Sequence, residues 1–205
     1  MGIPPTLALV PTVAVIPVKS FRFGKQRLSA ALDEQRREML GRALAERTAS
    51  TAEQAGLIPL IVTADSDVAV WATDTGFPSL SDPGEGLDAA ARTGTAWAQT
   101  GDSRWVVLHS DLPLIVTSDL DALASLSERG ESFLAPSADG GTSAIGSTGD
   151  FDFSFGPGSF NRHLARLGDT KVVFRIGLAH DVDEPNDLWT ALSTPRGAWM
   201  RDLLE

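Results

Sequence analysis

One loop of the sequence, Pro17–Leu28, gathers positive charge in an otherwise acidic chain. It carries four basic side chains within nine positions, although the formal net charge of the protein is −10. These residues are Lys19, Arg22, Lys25 and Arg27. Cationic side chains between a strand and the N-terminus of a helix can neutralise a polyphosphate, because the helix end adds partial positive charge. The loop therefore predicts a phosphate site, with a solvated basic turn as the alternative, and it matches neither GxxxxGK[ST] nor GxGxxG.

Two groups of aspartates could bind a hard cation beside such a phosphate. Asp111 follows the apolar run Trp105–His109, where core packing does not explain a carboxylate. Asp181 and Asp183 follow another predicted strand and precede a proline that can open a helix. Carboxylate oxygens at these positions could form a two-carboxylate Mg²⁺ site. The structural alternatives are a turn or helix cap for Asp111 and the cap of the following helix for Asp183.

A third group of residues is rich in glycine and hydroxyl side chains and could hold a small anion. It consists of Gly140–Ser143 and Phe155–Ser159, and the adjacent Arg162 and His163 could add positive charge. Glycine lets the backbone approach a ligand closely, and hydroxyl groups can donate hydrogen bonds to it. A pair of structural turns is the alternative. The sequence has no Ser-His-Asp set and no histidine spacing typical of a metal site.

Alternating strands and helices must position these groups. The predicted strands are Thr12–Val18, Leu57–Thr63, Pro78–Leu80, Trp105–His109, Phe133–Pro136 and Lys171–Ile176. The predicted helices are Ser29–Ala55, Asp65–Ala72, Gly86–Gln99, Thr117–Leu126, Phe160–Leu167 and Glu184–Leu204. Such alternation predicts right-handed crossovers and an α/β fold with a mainly parallel sheet. Ligands bind beyond the carboxyl ends of such strands, so the loops after Val18, His109 and Ile176 should converge.

Length and composition favour a single domain over residues 1–205, with an insertion of irregular and β structure at about 137–160 that folds over the sheet. Hydrophobic residues make up 42% of the chain, which is enough for a sizeable core. The acidic balance argues against binding nucleic acid or an anionic membrane by bulk charge. The absence of cysteine excludes disulfides and thiolate chemistry, and we expect a cytoplasmic protein. The proline-broken run Ile3–Val18 predicts neither a signal peptide nor a membrane span.

Five segments, taken in order, resemble the CofC/FbiD family of nucleotidyltransferases. They read PVKSFRFGKQRL, HSDLPL, DGGTSA, FGPGSFNRH and DVDEPNDL, and the resemblance extends from Val13 to Leu192. It implies a MobA-like fold of the nucleotide-diphospho-sugar transferase type, a Rossmann-like three-layer α/β/α sandwich. It also implies transfer of GMP from GTP to phosphoenolpyruvate or 2-phospho-L-lactate, with release of pyrophosphate, in the biosynthesis of coenzyme F-420.

The resemblance also implies roles for individual residues. Lys19, Lys25 and Arg27 lie in the segment that resembles the family's triphosphate loop, and Lys25 and Asp111 would be catalytic. Asp111 matches the metal-binding aspartate, with Asp183 and also Asp181 on the second acidic motif. Thr142, Gly156 and Ser159 match positions that hold the carboxylate and phosphate of the acceptor. Asp88 stands where the family commonly has Asn, and Ser110 where it tends to have Gly, so the contact of Asp88 with the base or ribose of GTP differs from the pattern.

The implied reaction agrees with the chemistry of the residues. Since the acceptor phosphate is ionised at neutral pH, catalysis reduces to holding two anions in line and neutralising the developing charge. One alternative is a related nucleotidyltransferase acting on a molybdopterin or a sugar phosphate, although Gly140–Ser159 suits a smaller acid. Another is a noncatalytic module that senses a nucleotide, which would not need both acidic motifs. The sequence is compatible with a homodimer.

Overall fold

The computed structural model describes residues 10–204, and a seven-stranded sheet forms their centre. Its strands are β1 (Thr12–Pro17), β2 (Ile58–Thr63), β3 (Ser79–Ser81), β4 (Arg104–Leu108), β5 (Phe133–Pro136), β6 (Thr142–Ser147) and β7 (Lys171–Val172). Part of the predicted run Ile3–Val18, residues 3–9, lies outside the described residues, as do the first nine residues and the last residue of the predicted domain.

The helices of the described residues connect and flank these strands. They are α1 (Glu34–Gln54), α2 (Ser66–Asp74), α3 (Leu87–Thr100), α4 (Thr117–Glu128), α5 (Ser159–Leu167), α6 (Ile176–Ala179), α7 (Pro185–Leu192) and α8 (Met200–Leu204). Two 3₁₀ helices, Gln26–Ala30 and Pro195–Gly197, complete them. None of the helices between residues 10 and 204 has the length and apolar composition that crossing a membrane requires.

The strand order is β3-β2-β1-β4-β6-β5-β7, and β6 is antiparallel to both of its neighbours. The other described strand pairs are parallel, which confirms the predicted α/β fold with a mainly parallel sheet. The carboxyl ends of β1, β2 and β4 therefore lie at one edge, and the amino end of β6 lies at that same edge. This edge is where a ligand site is expected in such a sheet.

Alternating side chains bury both faces of the sheet. Along β1, Ala14 and Ile16 pack with residues of α1, α2 and α4, whereas Val13 and Val15 pack with residues of α3. Helix α3 lies very close to the sheet, since a Cβ on Gly94 would stand 2.3 Å from a methyl group of Val15. Close packing of this helix fixes its N-terminus at the edge where the parallel strands end.

The predicted insertion at about 137–160 contributes a strand to the sheet. Thr142–Ser147 forms β6 between β4 and β5, so the expectation that the whole segment folds over the sheet is wrong for these residues. Glycine and serine residues interrupt the apolar pattern by which a strand is predicted. Gly146 is nevertheless required at its position, because a Cβ there would stand 2.2 Å from the Phe133 ring. The part that follows does pack on the sheet, where Phe153 is buried against Trp105 with ring centroids 5.7 Å apart.

The predicted strand Lys171–Ile176 is wrong beyond its first residues. The Val173 N–H still donates to the Leu134 carbonyl at 2.8 Å. Arg175 is instead the N-cap of helix α6, and its carbonyl accepts from the Leu178 and Ala179 N–H groups. Phe174 and Ile176 are about two-thirds exposed, at 69% and 67%. In the sequence, the β-branched and aromatic residues of this run are typical of a strand, which is why the pattern misleads.

Candidate active site

A cleft of about 730 Å³ opens at the carboxyl ends of β1, β2 and β4. Its walls come from the loop after β1, from residues 62–65, from residues 82–90, from His109–Asp111 and from Asp183. The volume is in the range that holds a nucleotide-sized ligand. The loops after residues 18 and 109 therefore converge as expected, and Asp183 comes from the segment that follows helix α6.

The loop after β1 is built to present Lys25 to this cleft. Phe21 anchors the loop in the core, 5.1 Å from the Trp71 ring, and Gly24 makes a turn too tight for a side chain, since a Cβ would stand 2.8 Å from the Ser20 carbonyl oxygen. Lys25 itself adopts the left-handed conformation with φ 52°, which is uncommon for a residue other than glycine. Such strained residues are concentrated at functional sites.

Lys25 joins the two acidic motifs. Its Nζ donates to Asp111 Oδ2 at 2.6 Å and to Asp183 Oδ1 at 3.1 Å. The Lys25 side chain is 13% exposed, that of Asp111 22% and that of Asp183 53%. Residues that are 86 and 158 positions from Lys25 in sequence thus meet around one ammonium group.

Burial and charge act in opposite directions on this cluster. Burial would lower the pKa of Lys25, but Asp111 and Asp183 outweigh it and raise the pKa above its usual value. Burial likewise would raise the pKa of Asp111, and the Lys25 ammonium outweighs it and lowers the pKa. Both groups are therefore charged at neutral pH, and each stabilises the other in a partly desolvated position.

Asp111 and Asp183 do not have the capping roles that were their structural alternatives. The N–H groups of Asp183 and Glu184 donate to Asp187 Oδ2, so the Asp187 side chain caps the start of α7. At the start of α4, Asp119 accepts from the Val116 N–H, and Asp111 takes no part. The backbone keeps the two acidic loops together, because the Val182 N–H donates to the Asp111 carbonyl at 3.2 Å.

The carboxylates fit a divalent cation that also binds substrate phosphates. Asp111 Oδ1 is buried and has no hydrogen-bond partner within the described residues, so this oxygen is available to bind a cation. Residues 10–204 contain no group of three or more His, Cys, Asp or Glu side chains arranged around a metal position. A Mg²⁺ ion held by one or two carboxylates, with water and phosphate completing its shell, needs no such group.

Asp181 is placed differently from Asp183. Burial, and then the nearby charge of Asp111, raise the pKa of Asp181 to about 6. It does not bond to Lys25, which contacts Asp183 instead. Of the two carboxylates of this loop, Asp183 is thus the one that shares a partner with Asp111.

The other predicted phosphate ligands lie at the mouth of the cleft. Lys19 and Arg27 are exposed and line it. Arg27 stands 3.8 Å from Glu184, a solvent-exposed pair that contributes little stability. Arg22 does not line the cleft and pairs with Glu34 on the surface. Three of the four cations of the loop therefore face the same space.

Asp88 has a structural partner that the sequence does not reveal. It lies in the first turn of α3, and its Oδ1 accepts from the Phe155 N–H at 2.8 Å. Its neighbours Gly86 and Leu87 line the cleft, but Asp88 is not among the lining residues. The carboxylate thereby ties the start of α3 to the segment 151–155 on the same face of the sheet.

The predicted acceptor residues form a separate cluster beside the cleft. Thr142 and Ser159 are each 1% exposed, and the Ser159 hydroxyl donates to Thr142 Oγ1 at 3.2 Å. Gly156 is exposed and has φ +102°, a conformation that favours glycine. The backbone bond from the His109 N–H to the Ser143 carbonyl, at 2.9 Å, places the start of β6 next to the loop that carries Asp111.

The interpretation of His163 as a source of positive charge is wrong, and Arg162 directs its charged group to the protein backbone. The Arg162 guanidinium donates to the Ser154, Phe155 and Pro157 carbonyls, so it holds the backbone of that loop. Burial, then the Arg166 charge, lower the pKa of His163 to about 4, which leaves the ring neutral at pH 7. Sequence reasoning also missed that His109 lines the cleft with a buried Nε2 that has no partner in the described part of the chain.

Comparison with known proteins places these residues in a family context. The model of the family described as "Guanylyl transferase CofC like" matches residues 12–204. That range includes the cleft, both acidic motifs and the acceptor cluster.

Two curated relatives and one solved structure illustrate the similarity. The phosphoenolpyruvate guanylyltransferase of Rubrobacter xylanophilus is 37% identical over 185 residues, which is 85% of this chain and 90% of that protein. The 2-phospho-L-lactate guanylyltransferase of Methanothermobacter thermautotrophicus is 29% identical over 200 residues, 94% of this chain and 89% of that protein. A structure from Desulfovibrio desulfuricans G20, described as a nucleotide-diphospho-sugar transferase, shares the fold with a TM-score of 0.77 at 15% identity, covering 93% of this chain and 94% of that one.

Proposed function

Because this chain belongs to the CofC-like guanylyl transferase family, we propose that it transfers GMP from GTP to phosphoenolpyruvate, or to 2-phospho-L-lactate, and releases pyrophosphate. The observation that carries the proposal is the meeting of Lys25, Asp111 and Asp183 in a cleft of nucleotide size. A metal-dependent nucleotidyltransferase needs this combination of a phosphate-binding cation and two cation-binding carboxylates.

The triphosphate of GTP would bind along the loop after β1. Lys19 and Arg27 at the mouth and the more buried Lys25 all line the cleft and supply positive charge to it. Their donors are suited to phosphate oxygens, and the surrounding walls reduce the screening that weakens exposed pairs. The base and ribose would extend toward Gly86 and Leu87, which line the cleft at the start of α3.

Mg²⁺ would be held by Asp111 and Asp183. Bound there, it would polarise the α-phosphate and offset the charge of the leaving pyrophosphate. Asp111 Oδ1 is the buried oxygen without a partner, and Lys25 lies on the other oxygen of the same carboxylate. The lysine thus fixes the orientation of the carboxylate and keeps it ionised.

The acceptor would bind between Asp111 and the cluster around Thr142. One of its phosphate oxygens attacks the α-phosphorus of GTP, a new P–O bond forms, and the bond to the β-phosphate oxygen breaks. The attacking oxygen is already ionised, so no proton has to be removed by the protein. The protein therefore contributes alignment of the two anions and stabilisation of the charge that develops between them.

The direct test is release of pyrophosphate by the purified protein. With GTP and Mg²⁺, we expect release only when phosphoenolpyruvate or 2-phospho-L-lactate is added, and a guanylylated acid as the second product. Sugar phosphates and molybdopterin serve as alternative acceptors, and ATP and CTP as alternative donors. Turnover with a sugar phosphate alone would contradict the proposed acceptor, and GTP binding without any turnover would indicate a nucleotide sensor.

Thr142→Val should raise the KM for the acceptor about tenfold or more while changing the KM for GTP by less than about twofold. A site that hydrogen-bonds a compact anion loses affinity when its hydroxyl is replaced by a methyl group of similar size. Steady-state kinetics with each substrate varied in turn measures both constants. Thr142→Ser retains the hydroxyl and serves as the control. A valine variant that loses GTP affinity but keeps its acceptor KM would assign this cluster to the nucleotide instead.

A further inference from the structure

His163 is fully buried and joins three elements near the acceptor cluster. It follows Ser159 by four positions in α5, so both side chains lie on one face of the helix. Its Nδ1 lies 2.9 Å from Thr142 Oγ1, and its Nε2 accepts from the Ser154 N–H at 3.0 Å. Phe155 packs edge-on against the ring at 4.9 Å between centroids.

These contacts fix the position of the ring proton. A backbone N–H can only donate, so Nε2 must be the unprotonated nitrogen of the ring. Burial keeps the ring neutral at pH 7, and the one remaining proton therefore lies on Nδ1. The imidazole thus donates to Thr142 Oγ1 and does not accept from it.

The same reasoning fixes the hydroxyl group of Thr142. Its oxygen accepts from the His163 ring and from the Ser159 hydroxyl, which uses both of its lone pairs. Its own proton has no acceptor among residues 10–204. A buried donor without a partner costs free energy, which an anionic ligand oxygen would recover.

We infer that His163 is a positioning residue that turns the Thr142 hydroxyl into an obligatory donor to the anionic group of the acceptor acid. The inference rests on the proposed function and deepens it, because it assigns the recognition of the acceptor to one hydroxyl. Ser159 gives its proton to Thr142, so its side chain acts through Thr142 and does not donate to the ligand directly.

Two substitutions separate the two ring nitrogens. The amide nitrogen of asparagine can stand near the position of Nδ1, so His163→Asn retains the donor to Thr142. The amide oxygen of glutamine can stand near Nε2, so His163→Gln retains only the acceptor for Ser154. We expect His163→Gln to raise the acceptor KM about tenfold, with kcat and the KM for GTP within about twofold, and His163→Asn to stay within about threefold of wild type.

A double variant distinguishes positioning from a general structural role. If His163 acts through the hydroxyl, His163→Gln should add nothing to the acceptor KM of Thr142→Val. Additive effects in that background, or equal damage by the asparagine and glutamine variants, would overturn the inference. Ser159→Ala should raise the acceptor KM less than Thr142→Val does, and the reverse order would also overturn it.

A spectroscopic measurement tests the proton position without turnover. Nitrogen-15 NMR of the wild-type protein should show His163 protonated at Nδ1 and unprotonated at Nε2 at neutral pH, and the opposite tautomer would overturn the inference even in an active enzyme. A wild-type protein that turns over neither acid would overturn the proposed function, and with it the acceptor role of His163. Activity of the wild type therefore decides the function, and the variant ratios and the tautomer decide the role of His163.

Discussion

Asp111→Asn is expected to lower kcat/KM for nucleotidyl transfer by about a thousandfold, ~4 kcal/mol of transition-state stabilisation, while the fold is retained. Asparagine has the shape of aspartate but lacks the charge that binds a divalent cation. The buried Oδ1, which has no partner in the described residues, is the atom whose loss matters most. Pyrophosphate release measures the activity, and binding of Mn²⁺ in the presence of GTP measures the metal site, where we expect a matching loss of affinity.

The fold should tolerate this substitution because Lys25 keeps a second partner. Its Nζ still donates to Asp183, so no buried ammonium is left without a counter-charge, and the free energy of unfolding should change by only about 1 kcal/mol. Asp121→Asn is the control, since it makes the same change of charge at an exposed position of α4. Asp111→Asn with near-normal activity would remove Asp111 from the metal site, and an unfolded variant would indicate a purely structural role.

The location of Asp111 could be predicted from the sequence for a general reason, because parallel strands end at the same edge of a sheet and Asp111 follows β4. Asp183 follows helix α6 and not a strand, and the bond from the Val182 N–H to the Asp111 carbonyl holds its loop at this edge. The loop with Lys25 follows β1, which pairs directly with β4, and therefore opens at that edge too. What the sequence could not give was the bond from Lys25 to both carboxylates, because it depends on the left-handed backbone of Lys25.

The acceptor region was harder to predict because its bonds involve the backbone. His163 acquires its tautomer from the Ser154 N–H, and Asp88 is occupied by the Phe155 N–H. Every residue except proline has such a donor, so no residue type marks the position of these partners. Strand β6 was missed for a related reason, since Gly146 accommodates the Phe133 ring of a neighbouring strand and interrupts the apolar pattern. Tertiary contacts thus determine these features, which local sequence patterns do not predict.

Lys25 shares both carboxylates with the proposed divalent cation, although it leaves Asp111 Oδ1 without a bond. Its Nζ lies 2.6 Å from Asp111 Oδ2 and 3.1 Å from Asp183 Oδ1, so without GTP the ammonium and a metal ion compete for the same two carboxylates. When GTP binds, its phosphates offer the ammonium another anionic partner. Removal of this lysine should therefore affect the metal and the nucleotide in opposite directions.

Lys25→Met is expected to weaken GTP binding about 10- to 100-fold and, in the absence of nucleotide, to strengthen binding of Mn²⁺. Calorimetric titrations with GTP and with Mn²⁺ alone measure the two effects, and the remaining GTP affinity should depend less on salt. Lys25→Arg keeps the charge and should retain most of the GTP affinity. Lys171→Met makes the same change of net charge at an exposed lysine that pairs with Glu131, outside the cleft, and should change neither affinity. If Lys25→Met weakens Mn²⁺ binding and GTP binding alike, the lysine organises the carboxylates for the metal and does not compete with it. If the methionine variant and the wild-type protein bind GTP equally well, the loop is a solvated basic turn and not a phosphate site.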